Sequence, residues 1–148
     1  GRGQMALASL CSGIVLMNAG LGAVHGLAPA LGCRFPISHG VVCGTLMAAA
    51  NEITLKKLEA EAENNDALSK YTKLGKLHSS RPDKSDAYYR KSFIEYLYTL
   101  TATLKLPRLS QFNVTRADLG EISSSSSNKN NPVPLTNEEI SKILGSRL

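Results

Sequence analysis

The sequence contains a stretch of 29 residues, from Met5 to Cys33, without a single Asp, Glu, Lys or Arg. An uncharged segment of this length is long enough for a transmembrane helix. Its composition argues against a membrane span, because five glycines, six alanines, an asparagine, a histidine and a proline make it a poor surface to face lipid. An almost wholly apolar helix rich in small residues is typical of a buried helix in a tightly packed bundle. The stretch therefore predicts a buried helix.

Hydrophobic spacing predicts helices along most of the chain. The first is expected to end at a hinge formed by Gly20, Leu21 and Gly22, and a short helical segment around His25 is expected to end at Pro29 and Gly32. In residues 66–77 the expected apolar face consists of Leu68, Tyr71, Leu74 and Leu77, and in residues 86–104 it consists of Phe93, Ile94, Leu97, Leu100, Thr101 and Leu104. The longer predicted helices are 2–20, 39–62, 66–77 and 86–104.

The C-terminal third predicts two short helices and a loop. Thr115 precedes Asp118 by three positions, and Thr136 precedes Glu139 in the same way, which is the spacing of a capping box. A run of five serines followed by Asn and Pro predicts a loop over residues 123–134. Since no segment shows sustained strand alternation, the predicted fold class is all-α, a helical bundle of about six to eight helices.

The charge pattern disfavours a nucleic-acid partner. The net charge is +5, but Lys and Arg are spread from Arg2 to Arg147 without a concentrated basic segment. Binding to nucleic acid needs a focused basic patch, so a solvated surface is the better interpretation.

His78 is expected in a surface loop. The acidic side chains expected at a solvated helix end are Glu59, Glu61 and Glu63.

The three cysteines, Cys11, Cys33 and Cys43, are odd in number, form no C-x-x-C and lie in apolar surroundings. This pattern argues against a disulfide scaffold and indicates buried, reduced thiols in a cytoplasmic protein. We interpret them as packing residues rather than nucleophiles.

His25 and His39 lie in similar apolar surroundings, and each is followed by a glycine that would leave space for a substrate or cofactor. Neutral imidazole is a common ligand of zinc, iron and copper. However, a histidine in an apolar segment is often a hydrogen-bonded core residue, and a spacing of 14 residues matches no compact ligand motif. Two histidines also fall short of the three protein ligands usual for a catalytic metal. A partial metal site and a pair of core histidines both remain open on these grounds.

Residues 18–44 carry a more specific signal. They contain NAGLGAVH at 18–25, LG at 31–32 and FPISHGVVCG at 35–44. This arrangement resembles the signature of the iron-containing alcohol dehydrogenase family, which runs N-A-x-L-G-x-x-H, then L-G, then P-H-G. Residues 5–9 resemble the start of a helix in the same family, and residues 131–140 resemble its C-terminal helix, so the resemblance covers nearly the whole chain.

The resemblance implies a two-domain enzyme with an N-terminal Rossmann-like domain for NAD or NADP and a C-terminal all-α domain for a divalent metal. The metal in this family is usually Fe²⁺, and Zn²⁺ in some members. It acts as a Lewis acid while hydride passes between a small alcohol, its aldehyde or ketone, and the nicotinamide. His25 and His39 match two of the family's metal ligands.

The family's other two ligands, an Asp and a His four residues apart, have no match, because the sequence contains no Asp-x-x-x-His. It also lacks a Gly-rich phosphate loop. We therefore expect residues 1–148 to be a single helical metal-binding domain, a fragment without its N-terminal nucleotide-binding domain, inactive alone and weak in metal binding. The expected partners are that domain, a small alcohol or aldehyde, and further copies of the chain through surface that the absent domain would cover.

Two positions depart from the family pattern. Pro29 stands where many members carry a second histidine, which argues against a proton relay there. Ser38 stands where proline is common, and serine is a good N-cap.

Two alternative hypotheses stay open: a sister enzyme on the same fold, such as a glycerol dehydrogenase, a maleylacetate reductase or a dehydroquinate synthase relative, and a metal-free helical interaction domain.

Overall fold

The structure, a computed structural model, describes residues 1–61 and 65–148. The described residues form seven α-helices and two short 3-10 helices and contain no strand, which confirms the predicted all-α fold. The α-helices are α1 (Arg2–Ala19), α2 (Ala23–Gly32), α3 (His39–Glu61), α4 (Asn65–His78), α5 (Asp86–Thr103), α6 (Leu119–Ser125) and α7 (Asn137–Gly145). The 3-10 helices are Leu109–Phe112 and Arg116–Asp118.

Helix α3 is the centre of the bundle, because α2, α4, α5 and α7 all pack against it. Its buried face includes Val42 and Leu46, each with no exposed surface, and three consecutive alanines, Ala48 to Ala50. Leu27 and Leu31 of α2 are equally buried in the same apolar cluster. Fully burying a Leu or Val side chain contributes about 1.5–3 kcal/mol, so the contact between α2 and α3 is a major source of stability.

Helix α1 forms as predicted, but the prediction that it is buried is wrong. No residue of α1 is buried in this chain, and Met5 and Met17 are 71% and 85% exposed. The chain turns at Gly20, whose φ of 72° suits glycine, and α1 and α2 meet at 94°. No residue of α1 belongs to the apolar core cluster of the described residues, whereas Leu27 and Leu31 of α2 do, so the apolar sequence stretch is divided into an exposed half and a buried half.

No single helix in the part of the chain that the structure describes is long and apolar enough to cross a membrane. Taken together, helices α1 and α2 would be long and apolar enough to cross a membrane, but they are separated by a bend of 94°.

The predicted apolar face of α4 is confirmed at Tyr71, which is buried, and at Leu68, which packs against the core, but not at its two other leucines. Leu74 and Leu77 are 39% and 78% exposed, whereas Tyr71 and Gly75, four residues apart, face α5 from buried positions. A Cβ atom built on Gly75 would lie 1.9 Å from the carbonyl oxygen of Tyr89. Glycine therefore permits a close backbone approach, and this approach rather than leucine packing decides which face of α4 is covered.

Three other sequence predictions need correction. Pro29 lies inside α2 and does not end it. The serine run is partly helical, since Ser123 is buried in α6 and its hydroxyl donates to the Leu119 carbonyl at 2.6 Å. His78 is the last residue of α4, not a loop residue, and its ring stacks on Tyr96 at a centroid distance of 3.8 Å.

The helix ends agree closely with the predictions. Both capping boxes are present, at the start of Arg116–Asp118 and at the start of α7. Glu59 and Glu61 are exposed, as predicted for a solvated helix end, and Glu59 accepts a hydrogen bond from Arg90 of α5 at 2.8 Å. The predicted end of α3 at residue 62, and Glu63, lie outside the described residues.

Gly75→Ala tests the close contact between α4 and α5. We expect a loss of about 1–3 kcal/mol in the free energy of unfolding, because the new methyl group would overlap the Tyr89 carbonyl and force the helices apart. Gly120→Ala in α6 is the matched control, since its Cβ would meet no atom within 4 Å. Urea unfolding followed by circular dichroism measures both, and equal stability of the two variants would contradict the contact.

Candidate metal centre

His25, His39 and Cys43 meet where α2 packs against the first turn of α3. Their candidate ligand atoms all lie within 4.8 Å of one another. The two imidazole rings have centroids 5.2 Å apart and an interplanar angle of 53°. The Cys43 Sγ lies 3.4 Å from the His39 Nε2. The structure therefore brings together the two histidines that sequence analysis selected and adds a thiol to them.

The local sequence explains this arrangement. His39 is the first residue of α3 and Cys43 follows one turn later, and residues four apart are neighbours on a helix surface. Ser38 precedes the helix, and its carbonyl accepts from the Val42 amide at 3.1 Å. Before it, the Phe35 amide donates to the Leu31 carbonyl at 2.9 Å, which turns the chain back from α2 into α3.

Asn131 holds the start of α2 against α3. Its Oδ1 accepts from the Ala23 amide at 3.3 Å, two residues before His25. Its Nδ2 donates to the Thr54 hydroxyl at 3.1 Å and to the Val133 carbonyl at 2.9 Å. One side chain from a distant loop thus fixes the position of α2, and with it the position of the His25 ring relative to α3.

The two glycines beside the histidines have different surroundings. A Cβ on Gly26 would lie 1.6 Å from the Ser127 carbonyl oxygen, so the chain's own backbone fills the space there. A Cβ on Gly40 would meet nothing within 4 Å. The expectation that each glycine leaves room for a substrate or cofactor therefore holds only at Gly40.

A cleft of about 320 Å³ extends from the histidine and thiol cluster between α2, α3 and α4. The Tyr71 hydroxyl donates to the Asn51 Oδ1 at 2.8 Å within this cleft, and burial raises the pKa of Tyr71 to about 12, so the phenol stays protonated at neutral pH. The space is large enough for a small organic molecule. The side chains of the cleft that matter for its chemistry are His25, Cys43, Met47, Asn51, Thr54 and Tyr71.

Cys43 is the residue that sequence analysis missed. The prediction of buried thiols is wrong for Cys11 and Cys33, which are exposed, and Cys43 is half-buried. All three are free cysteines. Burial raises the pKa of the Cys43 thiol, so it is protonated near neutral pH when no cation lies beside it. The spacing His39-x-x-x-Cys43 was the available signal, because it places both side chains on one face of a predicted helix.

The donor set fits a divalent transition metal. Imidazole nitrogen and cysteine sulfur are ligands of zinc and of other borderline or soft metal ions. The His25 side chain is half-buried and the His39 side chain is exposed, so an ion has access from solvent. The metal-ligand role of His25 and His39 stays a prediction.

The sequence model of the Fe-containing alcohol dehydrogenase family, C-terminal part, matches residues 1–148. The chain belongs to this family. No curated protein sequence matches the chain. Among solved structures, a 1,3-propanediol oxidoreductase superposes with a TM-score of 0.82 at 25% identity, over 97% of this chain and 37% of that protein.

Two further structures share the fold. An alcohol dehydrogenase from Oenococcus oeni has a TM-score of 0.73 at 24% identity, over 92% of this chain and 35% of that enzyme. An alcohol dehydrogenase from an archaeal halo-thermophilic source in a Red Sea brine pool has a TM-score of 0.67 at 21% identity, over 87% and 33%. The chain thus spans about a third of the length of each of these three proteins. Family membership and the C-terminal all-α fold are confirmed.

Asn131→Ala tests the link between the loop and α2. We expect it to lower the free energy of unfolding by about 2 kcal/mol, because three part-buried hydrogen bonds to Ala23, Thr54 and Val133 are lost together. Asn18→Ala is the control, since Asn18 is exposed and donates a local hydrogen bond to the Ile14 carbonyl within α1. Thermal unfolding of both variants gives the comparison, and a loss no larger in Asn131→Ala than in the control would rule out an anchoring role.

Proposed function

We propose that this chain is the metal-binding helical part of an NAD(P)-dependent, Fe²⁺-dependent alcohol dehydrogenase that interconverts a small alcohol and its aldehyde or ketone. The observation that carries the proposal is the meeting of His25 and His39 beside a cleft, in a chain of the iron-containing alcohol dehydrogenase family. A pair of core histidines would not need ring nitrogens close to a thiol and open to solvent.

In this proposal His25 and His39 hold the metal through neutral imidazole nitrogens. The bound ion would supply Lewis acidity, polarising the oxygen of the alcohol or carbonyl. The cleft beside His25 would take the carbon skeleton, with Met47 as an apolar wall and Asn51 oriented by the Tyr71 hydroxyl. Its volume of about 320 Å³ suits a short substrate, and the likeness to a 1,3-propanediol oxidoreductase supports a short alcohol as the substrate class.

The cofactor and the remaining metal ligands would come from outside these 148 residues. This chain covers only 37% of the 1,3-propanediol oxidoreductase and 35% of the Oenococcus oeni alcohol dehydrogenase, which supports a nucleotide-binding partner domain for NAD or NADP. We place the whole enzyme in the cytoplasm. The apolar surface of α1, with Leu10 62% and Val15 62% exposed, would favour association with such a domain or with a second copy of the chain.

Metal binding is the direct test of the two histidines. Titration of the chain with Zn²⁺, or with Fe²⁺ under anaerobic conditions, should show one site by calorimetry. His25→Ala and His39→Ala should each weaken binding by more than about tenfold, because each removes a ligand. His78→Ala is the matched control, since that ring stacks on Tyr96 at the far end of α4 and should leave binding unchanged.

The opposite result would change the assignment. If both histidine variants bound the metal as tightly as the wild type, the metal-free helical interaction domain would become the better hypothesis.

A second prediction concerns turnover. The chain alone, loaded with Fe²⁺ or Zn²⁺ and supplied with 1,3-propanediol and NAD or NADP, should produce no NADH or NADPH by absorbance. It should also give no change in the fluorescence of added NADH, because the proposal assigns cofactor binding to another domain. Sustained turnover by the 148 residues would contradict the assignment of cofactor binding to another domain.

A further inference from the structure

We propose that Cys43 is the third protein ligand of this metal centre, so that the chain by itself holds a His₂Cys site that discriminates in favour of zinc over iron. This inference rests on the proposed role of His25 and His39 as metal ligands, and it differs from the proposed function in making Zn²⁺ rather than Fe²⁺ the preferred ion of this chain. It adds a ligand that family membership does not identify.

The geometry of the pair on α3 already matches metal coordination. Zinc–nitrogen bonds of about 2.0–2.1 Å and a zinc–sulfur bond of about 2.3 Å place the two donor atoms about 3.6 Å apart in a tetrahedral site. The Cys43 Sγ lies 3.4 Å from the His39 Nε2. No change of helix geometry is needed for these two side chains to share one ion.

His25 completes the triangle from a different helix. All three donor atoms lie within 4.8 Å of one another, so the remaining adjustment is at most about 1.5 Å and can come from side-chain rotation. Within residues 1–61 and 65–148, this is the one group of three His, Cys, Asp or Glu side chains whose ligand atoms come this close. Cys11 and Cys33 are exposed and belong to no such cluster.

The ligand count supports the same assignment. Catalytic zinc sites commonly use three protein ligands and keep one position open. Within these 148 residues His25 and His39 give two ligands, because the proposed function places the remaining ligands outside them. With Cys43 the count becomes three, and His25 and Cys43 both line the cleft, so an open coordination position has a space to face.

The thiol also sets the metal preference. Thiolate sulfur is a soft ligand that favours zinc, whereas carboxylate oxygen suits harder ions. Binding replaces the S–H bond of Cys43 by a metal–sulfur bond and releases the proton to solvent, with no change of oxidation state. Removal of the sulfur should therefore weaken zinc binding more than it weakens ferrous iron binding.

Cobalt gives a direct spectroscopic test, because Co²⁺ occupies zinc sites and a cobalt–thiolate bond absorbs in the near ultraviolet. The wild-type chain titrated with Co²⁺ should develop this charge-transfer band, and added Zn²⁺ should abolish it. Cys43→Ser should lose the band and bind Zn²⁺ more than about tenfold more weakly, with a smaller loss for Fe²⁺. Cys33→Ser is the matched control and should behave as wild type.

A second measurement uses only the wild-type chain, so it does not depend on the folding of a variant. Iodoacetamide labelling followed by peptide mass spectrometry should show that Zn²⁺ protects Cys43 from alkylation, while exposed Cys11 and Cys33 react with and without the metal. Labelling of Cys43 that is unaffected by a saturating amount of Zn²⁺ would overturn the proposal.

The outcomes separate this inference from the proposed function. If Co²⁺ binds through both histidines without a thiolate band, Cys43 is not a ligand and the histidine site stands. If Cys43→Ser keeps the band, the assignment of Cys43 is wrong. If His25→Ala and His39→Ala both bind metal as the wild type does, the proposed function fails as well.

Discussion

The packing of α2 on the first half of α3 is the interaction on which the rest of the structure depends. Leu27 and Leu31 on one helix and Val42 and Leu46 on the other have no exposed surface. This apolar contact orients α2 so that His25 lies beside the start of α3, where His39 begins the helix. The candidate metal centre is therefore a product of core packing, and a loss of the contact would separate His25 from His39.

Apolar packing sets the distance between these helices, and a polar contact sets their register. The side chain of Asn131 joins Ala23 at the start of α2 to Thr54 on α3. Hydrophobic contact is non-directional and does not fix the register of two helices, whereas a hydrogen bond has a preferred direction and can fix it. The loop that carries Asn131 is itself closed by Asn128, which pairs with the backbone of Leu135 through its amide nitrogen at 2.9 Å and its oxygen at 3.3 Å.

Periodicity predicted where helices lie better than it predicted what covers them. The predicted helices 39–62 and 86–104 correspond to His39–Glu61 and Asp86–Thr103, because helix spacing and caps are local properties of the sequence. The exposure of α1 and of Leu77 was not predictable in this way. An apolar residue indicates only that burial is favourable, and the 94° bend at Gly20 and the close approach at Gly75 decide which surfaces meet.

The candidate site shows the same division between local and tertiary information. His25 and His39 were selected as candidate metal ligands through a family motif, whereas their 14-residue spacing gave no geometric reason to expect both at one metal ion. Only the fold of α2 against α3 supplies that argument. Cys43 could have been selected from the sequence, because it stands four residues after His39 on the same predicted helix. Its apolar neighbours in the sequence instead suggested a residue that packs in the core.

A site built across two helices also links ligand binding to stability. One candidate metal ligand lies on α2 and two lie on α3, so an ion held by all three would bridge the packed pair. A ligand that binds only the folded chain stabilises it by about 2.7 kcal/mol at a concentration of 100 times its dissociation constant. That is comparable to burying one large apolar side chain. An ion bound at the candidate metal centre would thus strengthen the packing of α2 on α3 that brings the centre together.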